Sequence, residues 1–239
     1  MEEKRWVCVR QRAGPLTKEV RYIRPAVRVS DLPSVRKEKN RIVRLIRDSC
    51  FRRTSTDRLE LMLALMGWDA TVYVLTFSED QLPETFDAVR RRWAQFIRCL
   101  RKQRGEAMDY IYVIEGLHGD KRWHIHAVFR DADVSLKDVE RWWSGGIVMD
   151  PEPLLQGPWD KPRRTAEYFT KERRDGVRLP NGVRQWVAAP SLYRQLDPPE
   201  KKQVRTGAIR MPQGTRELFN KTEINAFGAF HYRIWLKMP

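Results

Sequence analysis

Residues Tyr110 to Phe129 constrain this chain more than any other stretch. The run Tyr110, Ile111, Tyr112, Val113, Ile114 is apolar and β-prone and ends at Glu115. A polar turn follows: Gly116, Leu117, His118, Gly119, Asp120, Lys121 and Arg122. Trp123, His124, Ile125, His126, Ala127, Val128 and Phe129 then form a second apolar run carrying two histidines. The pattern predicts two strands joined as a hairpin. Strand side chains alternate faces, so His124 and His126 project from the same side. Pairing brings Glu115, the last residue of the first strand, beside the start of the second. Two neutral imidazoles and one carboxylate, with positions left for water or substrate, suit a catalytic divalent cation better than a closed structural site. A His-x-His pair in a strand is a common structural feature by itself, and carboxylates are common beside turns.

A later stretch adds to this. Thr165, Ala166, Glu167, Tyr168, Phe169, Thr170, Lys171 and Glu172 are predicted to form a short helix after the basic, proline-containing segment Lys161 to Arg164. Tyr168 and Lys171 stand three apart and share a face, while Ala166 and Phe169 turn towards a core.

Around these stretches the periodicities alternate between strand and helix. Ser34 to Phe51 has roughly helical apolar spacing with Arg and Lys between. Thr54 to Met66 reads as an apolar core helix stopped by Gly67. Thr71 to Phe77 reads as a buried central strand. Gln81 to Gln103 repeats Phe86, Val89, Trp93, Phe96, Ile97 and Leu100 at the spacing of a helix lying on a sheet. A further helix starts at Ser135, where Asp138 makes a capping-box pattern. Gly145 to Pro162 reads as a loop. The fold class expected is α+β, an antiparallel sheet with flanking helices of the ferredoxin-like or RRM-like kind. Three regions are expected: a basic N-terminal arm at 1–34, a core at 35–175, and a basic C-terminal extension at 176–239. The extension is broken by prolines and closes on a strand pattern at Phe230, Tyr232, Ile234 and Leu236. Trp186, Tyr193 and Trp235 are available there either for base stacking or for packing.

Taken in order, Thr71 to Phe77, then Glu115 with His124-Ile125-His126, then Tyr168-Phe169-Thr170-Lys171 resemble the three motifs of the HUH endonucleases, the rolling-circle replication initiators (Rep proteins) of phages, plasmids and small single-stranded DNA viruses. The resemblance covers about residues 36 to 175 and is greatest to the phage and bacterial replication-associated group. Glu172 stands where two-tyrosine members carry a second tyrosine, so the chain resembles the single-tyrosine class. The resemblance implies Mg2+ or Mn2+ held by Glu115, His124 and His126, with Tyr168 as nucleophile and Lys171 assisting it. Lys121, Arg122, Arg164, Arg173 and Arg174 are the expected DNA contacts. It also implies nicking and rejoining of single-stranded or hairpin DNA at a replication origin, with host helicase and polymerase as further partners.

The charge agrees with a polyanionic partner: Lys and Arg number 46 against 31 Asp and Glu, a net +15 over 239 residues. No apolar run reaches spanning length and no cleavable signal pattern opens the chain, so no membrane role is expected. Cys8, Cys50 and Cys99 are scattered without metal-type spacing, which points to a reducing compartment, the bacterial cytoplasm. Two rival functions stand beside the initiator. A transposase or relaxase would share the chemistry, and a non-catalytic nucleic-acid-binding module would share the charge but give no reason for the histidine, glutamate and tyrosine set.

Overall fold

The computed structural model describes residues 6–23, 55–105, 107–119, 122–157, 160–171, 183–184, 186–225 and 228–239. The helix expected over Ser34 to Phe51 lies outside the described residues. The chain divides into two compact units, one made of Met1–Leu61 with Leu196–Pro239 and the other of Met62–Gln195. Helix α1 (Ser55–Met66) spans the division and ends where expected, at Gly67, whose N–H reaches the Ala64 carbonyl.

The second unit holds β3 (Ala70–Thr76), α2 (Phe86–Arg104), β4 (Tyr110–Glu115), β5 (His124–Arg130), α3 (Leu136–Trp142), β6 (Val148–Pro153), α4 (Pro162–Phe169), β7 (Val187–Ala188) and α5 (Pro190–Gln195). Its sheet runs β6-β3-β5-β4-β7, antiparallel throughout. The first four of these strands, with α2 and α3 between them, make the β-α-β-β-α-β order of a ferredoxin-like sheet. The expected α+β class is the one observed.

Sequence sets these elements locally. Thr85 caps α2 by accepting the Ala88 N–H, and Gly105 ends it at φ 75. The Ser135–Asp138 capping box opens α3 as expected. Val89, Trp93, Phe96, Ile97 and Leu100 are the buried stripe of α2. They pack on Tyr73, Leu75, Ile125, Ala127 and Phe129, the side chains of one sheet face. Burial of such a stripe, at roughly 25 cal/mol per Å² of apolar surface, is what holds the helix on the sheet.

The stretch read as a loop, Gly145 to Pro162, instead contains β6 and the start of α4. Pro151 and Pro153 hid the strand, yet an edge strand tolerates proline because one of its sides needs no ladder donor. The lead into β6 passes tightly against the end of β3: Thr76 N–H reaches Ile147 O at 2.9 Å and Ser78 N–H reaches Gly145 O at 2.9 Å. A Cβ on Gly146 would stand 2.4 Å from the Ser78 nitrogen, so only glycine fits.

The first unit holds β1 (Trp6–Ala13), β2 (Leu16–Tyr22), β8 (Glu200–Val204), β9 (Thr215–Asn225) and β10 (Gly228–Lys237), in the sheet order β8-β1-β2-β10-β9. Residues 6–22, expected within an arm of little structure, are therefore a hairpin inside a five-stranded sheet. The expected strand at Phe230 to Leu236 is β10, which pairs β2 from the far end of the sequence. Phe230, Tyr232 and Val20 form a small core. Trp186 and Trp235 are buried, so of the three aromatics offered for stacking only Tyr193 is exposed, and it lies stacked on Trp186 at 6.4 Å.

Candidate metal and nucleophile site

The register of β4 and β5 pairs Glu115 with His124 and Val113 with His126. Paired and alternate residues share a face, so the two imidazoles and the carboxylate converge as the sequence predicts. Their ligating atoms all lie within 4.8 Å of one another. His124 Nε2 is 3.2 Å from Glu115 Oε2, and His126 Nε2 is 3.1 Å from Oε1. On the other side of β5, Thr76 of β3 is the register partner of His124 and is tied by its hydroxyl to Ile147 O at 2.9 Å.

Protonation follows from the surroundings. Burial opposes charge on Glu115, but hydrogen bonds from His124, His126 and Lys171 prevail and hold its carboxyl far below the usual carboxylate range. Burial likewise pushes the His126 imidazole down, against the pull of Glu115. His124 is desolvated less decisively; its bonds to Glu115 and to the Arg122 carbonyl raise it. That carbonyl lies 2.9 Å from His124 Nδ1. It can only accept, so Nδ1 carries the proton, and in the neutral ring the Nε2 lone pair faces the carboxylate. Two lone pairs 3.2 Å apart repel unless a positive charge lies between them. A proton on His124 or a cation held jointly meets that need. Donation of the distal N–H to a carbonyl is also how metal-binding histidines are oriented. One hard carboxylate with two imidazoles fits a divalent cation, with a preference for manganese or magnesium over calcium.

Helix α4 delivers the phenol. Its first turn is set by Pro162, which presets the helical φ and lacks an N–H that would go unused there. Thr165, Ala166 and Phe169 are buried, and Tyr168, on the other face, is 39% exposed. The Tyr168 ring sits edge-on to His126, with centroids 5.4 Å apart and planes at 84°. The Phe169 ring lies 5.4 Å from His126 on a flatter approach of 31°.

The expected helix through Glu172 ends sooner, at Phe169, because the Thr170 hydroxyl and N–H both turn back to the Ala166 carbonyl. Lys171 therefore follows the helix in a turn, its N–H on Tyr168 O at 3.2 Å. Its Nζ still stands 3.3 Å from the Tyr168 ring centroid and 3.0 Å from Glu115 Oε1. Burial disfavours the ammonium, yet the bonds to Tyr168 and Glu115 raise its pKa, so it stays charged. One cation thus links the tyrosine to the three-residue cluster.

Of the expected DNA contacts, Arg122 and Arg164 are exposed, while Lys121, Arg173 and Arg174 lie outside the described residues. Sequence reading missed two supports. These are the Arg122 carbonyl that orients His124 and the Phe169 ring that flanks His126; the apolar residue next to Tyr168 was the only signal of the second. Among the described residues, no helix is long and apolar enough to cross a membrane.

No curated protein and no solved structure matches the chain. Over residues 70–173, from the start of β3 to just past Lys171, the chain matches the model of a family described as replication-associated protein, the ORF2 group, a similarity that fits a Rep-type replication initiator.

Proposed function

We propose that the chain is an HUH-type endonuclease of the single-tyrosine class that nicks and rejoins single-stranded DNA to start rolling-circle replication. The observation that carries this reading is the convergence of Glu115, His124 and His126 with Tyr168 and Lys171, all inside the span similar to a replication-associated family. Glu115 Oε and the two Nε2 atoms would hold Mg2+ or Mn2+, which supplies Lewis acidity towards a phosphate oxygen and the departing 3′ oxygen.

The chain's own groups supply the rest. A phenol is mostly protonated at neutral pH, with an ordinary pKa of about 10. The Lys171 ammonium at 3.3 Å from the ring centroid lowers the cost of the phenolate and, being charged, cannot itself take the proton. Solvent takes it, for Tyr168 is exposed on that side. The phenolate oxygen attacks phosphorus in line; the Oη–P bond forms, the P–O3′ bond breaks, and the 3′ oxygen is released as a hydroxyl after protonation. The strand's 5′ side remains as a phosphotyrosyl ester, and the free 3′-hydroxyl can prime synthesis. Attack by another 3′-hydroxyl reverses the step and rejoins a strand. Glu115 and His126 are buried, and a phosphate held at such a site must come from an unpaired strand that can bend to it.

The test is incubation of the protein with a pool of random single-stranded oligonucleotides and Mn2+, followed by denaturing electrophoresis and sequencing of the DNA that stays with the protein. A covalent adduct enriched in one sequence, dependent on the cation and missing with Tyr168→Phe, is expected. The same adduct with Tyr168→Phe excludes Tyr168 as nucleophile.

A further inference from the structure

The face of the sheet opposite the Glu115 cluster carries a second feature, which the chemistry above does not use. On β4, Tyr110 and Tyr112 alternate with Ile111, Val113 and Glu115 and so point to the other side. There α2 lies across them, and between the helix and the strand runs a groove of about 660 Å³. Its rim is Arg90, Arg91, Arg98 and Arg101, with Ala94 leaving a gap between them, and its floor is Tyr110, Tyr112 and the edge of Trp93. The Trp93 and Tyr112 rings are 4.3 Å apart, and the Arg101 guanidinium lies 5.7 Å from the Tyr110 ring centroid.

The charge here is not that of an ordinary solvated helix. Such a face intersperses acids and bases, with pairs three or four apart. Helix α2 carries arginine at 90, 91, 92, 98, 101 and 104 and one acid, Asp87. Asp87 meets Arg90 at 3.4 Å in a pair so exposed that it offsets little of that charge. Among the described residues Arg91 and Arg98 have no ion-pair partner. Clustered guanidiniums repel one another along the helix, a cost that a polyanion laid across them would remove. Aromatic rings recessed under cations suit one ligand class in particular, a nucleic-acid strand whose phosphates meet arginine and whose unpaired bases stack on tyrosine. Paired bases in a duplex cannot turn down to such a floor.

We infer that this arginine and tyrosine groove between α2 and β4 is a second binding site for single-stranded nucleic acid, on the opposite sheet face from the Glu115, His124 and His126 cluster. It rests on the reading of nucleic acid as the partner and deepens it. The groove takes part of the strand away from the cut phosphate, and it needs no metal.

The experiment uses the full chain in EDTA, so that no cutting occurs, with a fluorescein-labelled oligo(dT) strand read by anisotropy across a salt series. Arg91→Glu with Arg98→Glu is expected to weaken binding at least about tenfold at 0.1 M salt. The log–log salt slope is expected to fall by about 1.4, two phosphate contacts at roughly 0.7 each. Lys137→Glu with Arg141→Glu, an equal charge change on α3, is expected to have a much smaller effect. Both pairs are exposed, and unchanged circular dichroism verifies the fold. Equal losses for the two double variants would overturn the site, since the effect would then be net charge alone. A strand containing 5-iodouracil, irradiated on the protein, is expected to crosslink to Tyr110 or Tyr112. Crosslinks confined to other peptides overturn the inference, as does a duplex competitor as strong as the single strand. Loss of the covalent adduct with the crosslink intact would refute the nicking reading and leave the groove standing.

Discussion

Each unit of this protein buries a glutamate among cations on a sheet, and the two sites have different chemistry. In the first unit Glu19 accepts from Arg10 at 2.6 Å and from Arg21 at 2.7 Å. Both partners come from the same hairpin, both are guanidiniums that keep their charge at any working pH, and Arg21 is itself fixed to the Thr206 and Ala208 carbonyls. In the second unit Glu115 faces two imidazoles and one ammonium, and the ammonium comes from beyond α4, with an exposed tyrosine beside it. Burial opposes charge on both carboxylates, and their partners hold both below the usual range. A buried carboxylate is therefore not by itself a site. The exchangeability of its partners separates a closed structural knot from a centre that can take up a cation.

Four predictions sharpen or break that contrast, in order of expected size. Glu115→Gln should abolish adduct formation, a loss of at least about four orders of magnitude, or over 5 kcal/mol in the barrier. Glu19→Gln should leave the chemistry of the folded protein intact. Adduct assays on both variants, scaled to folded protein, check this; equal losses would erase the contrast.

Glu19→Ala should instead cost about 3–5 kcal/mol of stability, since two buried guanidiniums lose their counter-charge. Urea denaturation measures it. The Glu19 carboxyl is held below its ordinary value, so its contribution is full above about pH 4.3 and fades as pH falls through the folded value. A variant whose acid sensitivity equals that of the parent would contradict the assignment.

Lys171→Ala should slow adduct formation about 10²-fold, a loss of electrostatic help to the phenolate. Mn2+ binding, followed calorimetrically, should hold or tighten because the ammonium no longer shares Glu115 Oε1. Loss of metal binding together with activity would make Lys171 a structural support only.

The smallest effect is that of pH on the metal. Burial keeps His126 neutral, whereas His124 is raised above 6.5 and so holds its proton longer. A proton on His124 excludes the cation, so Mn2+ affinity should begin to fall above pH 6.5 on acidification, by about tenfold per unit below the His124 value. A flat affinity from pH 8 to pH 6 would remove His124 from the ligand set.

How much of this was legible in the sequence differs between the same two regions. The β4–β5 hairpin joins neighbours in sequence, and its period-2 pattern placed Glu115, His124 and His126 on one face before any coordinates. The α2 stripe and the Ser135 cap were equally local. What stayed hidden depended on distant partners. Residues 6–22 looked like an arm because half of the evidence for β2 as a strand is β10, more than two hundred residues later. The prolines of β6 concealed an edge strand, and the end of α4 depended on a Thr170 side chain turning back on the helix. Lys171 reached its place although the helix expected to carry it had already ended. The arginines of α2 were visible, but the tyrosines beneath them became a groove floor only when β4 was laid under the helix.

The central claim is that one phenolic oxygen makes the bond to DNA beside the Glu115 cluster. Its most direct measurement is mass spectrometry of the nuclease-trimmed, trypsin-digested adduct. Cleavage after Arg164 and Lys171 isolates Thr165–Lys171, in which Tyr168 is the only tyrosine. A 5′-phosphonucleotide on Tyr168 in that peptide is the result expected. Cut DNA with that peptide unmodified, and nucleotide on another residue or on none, would contradict the account.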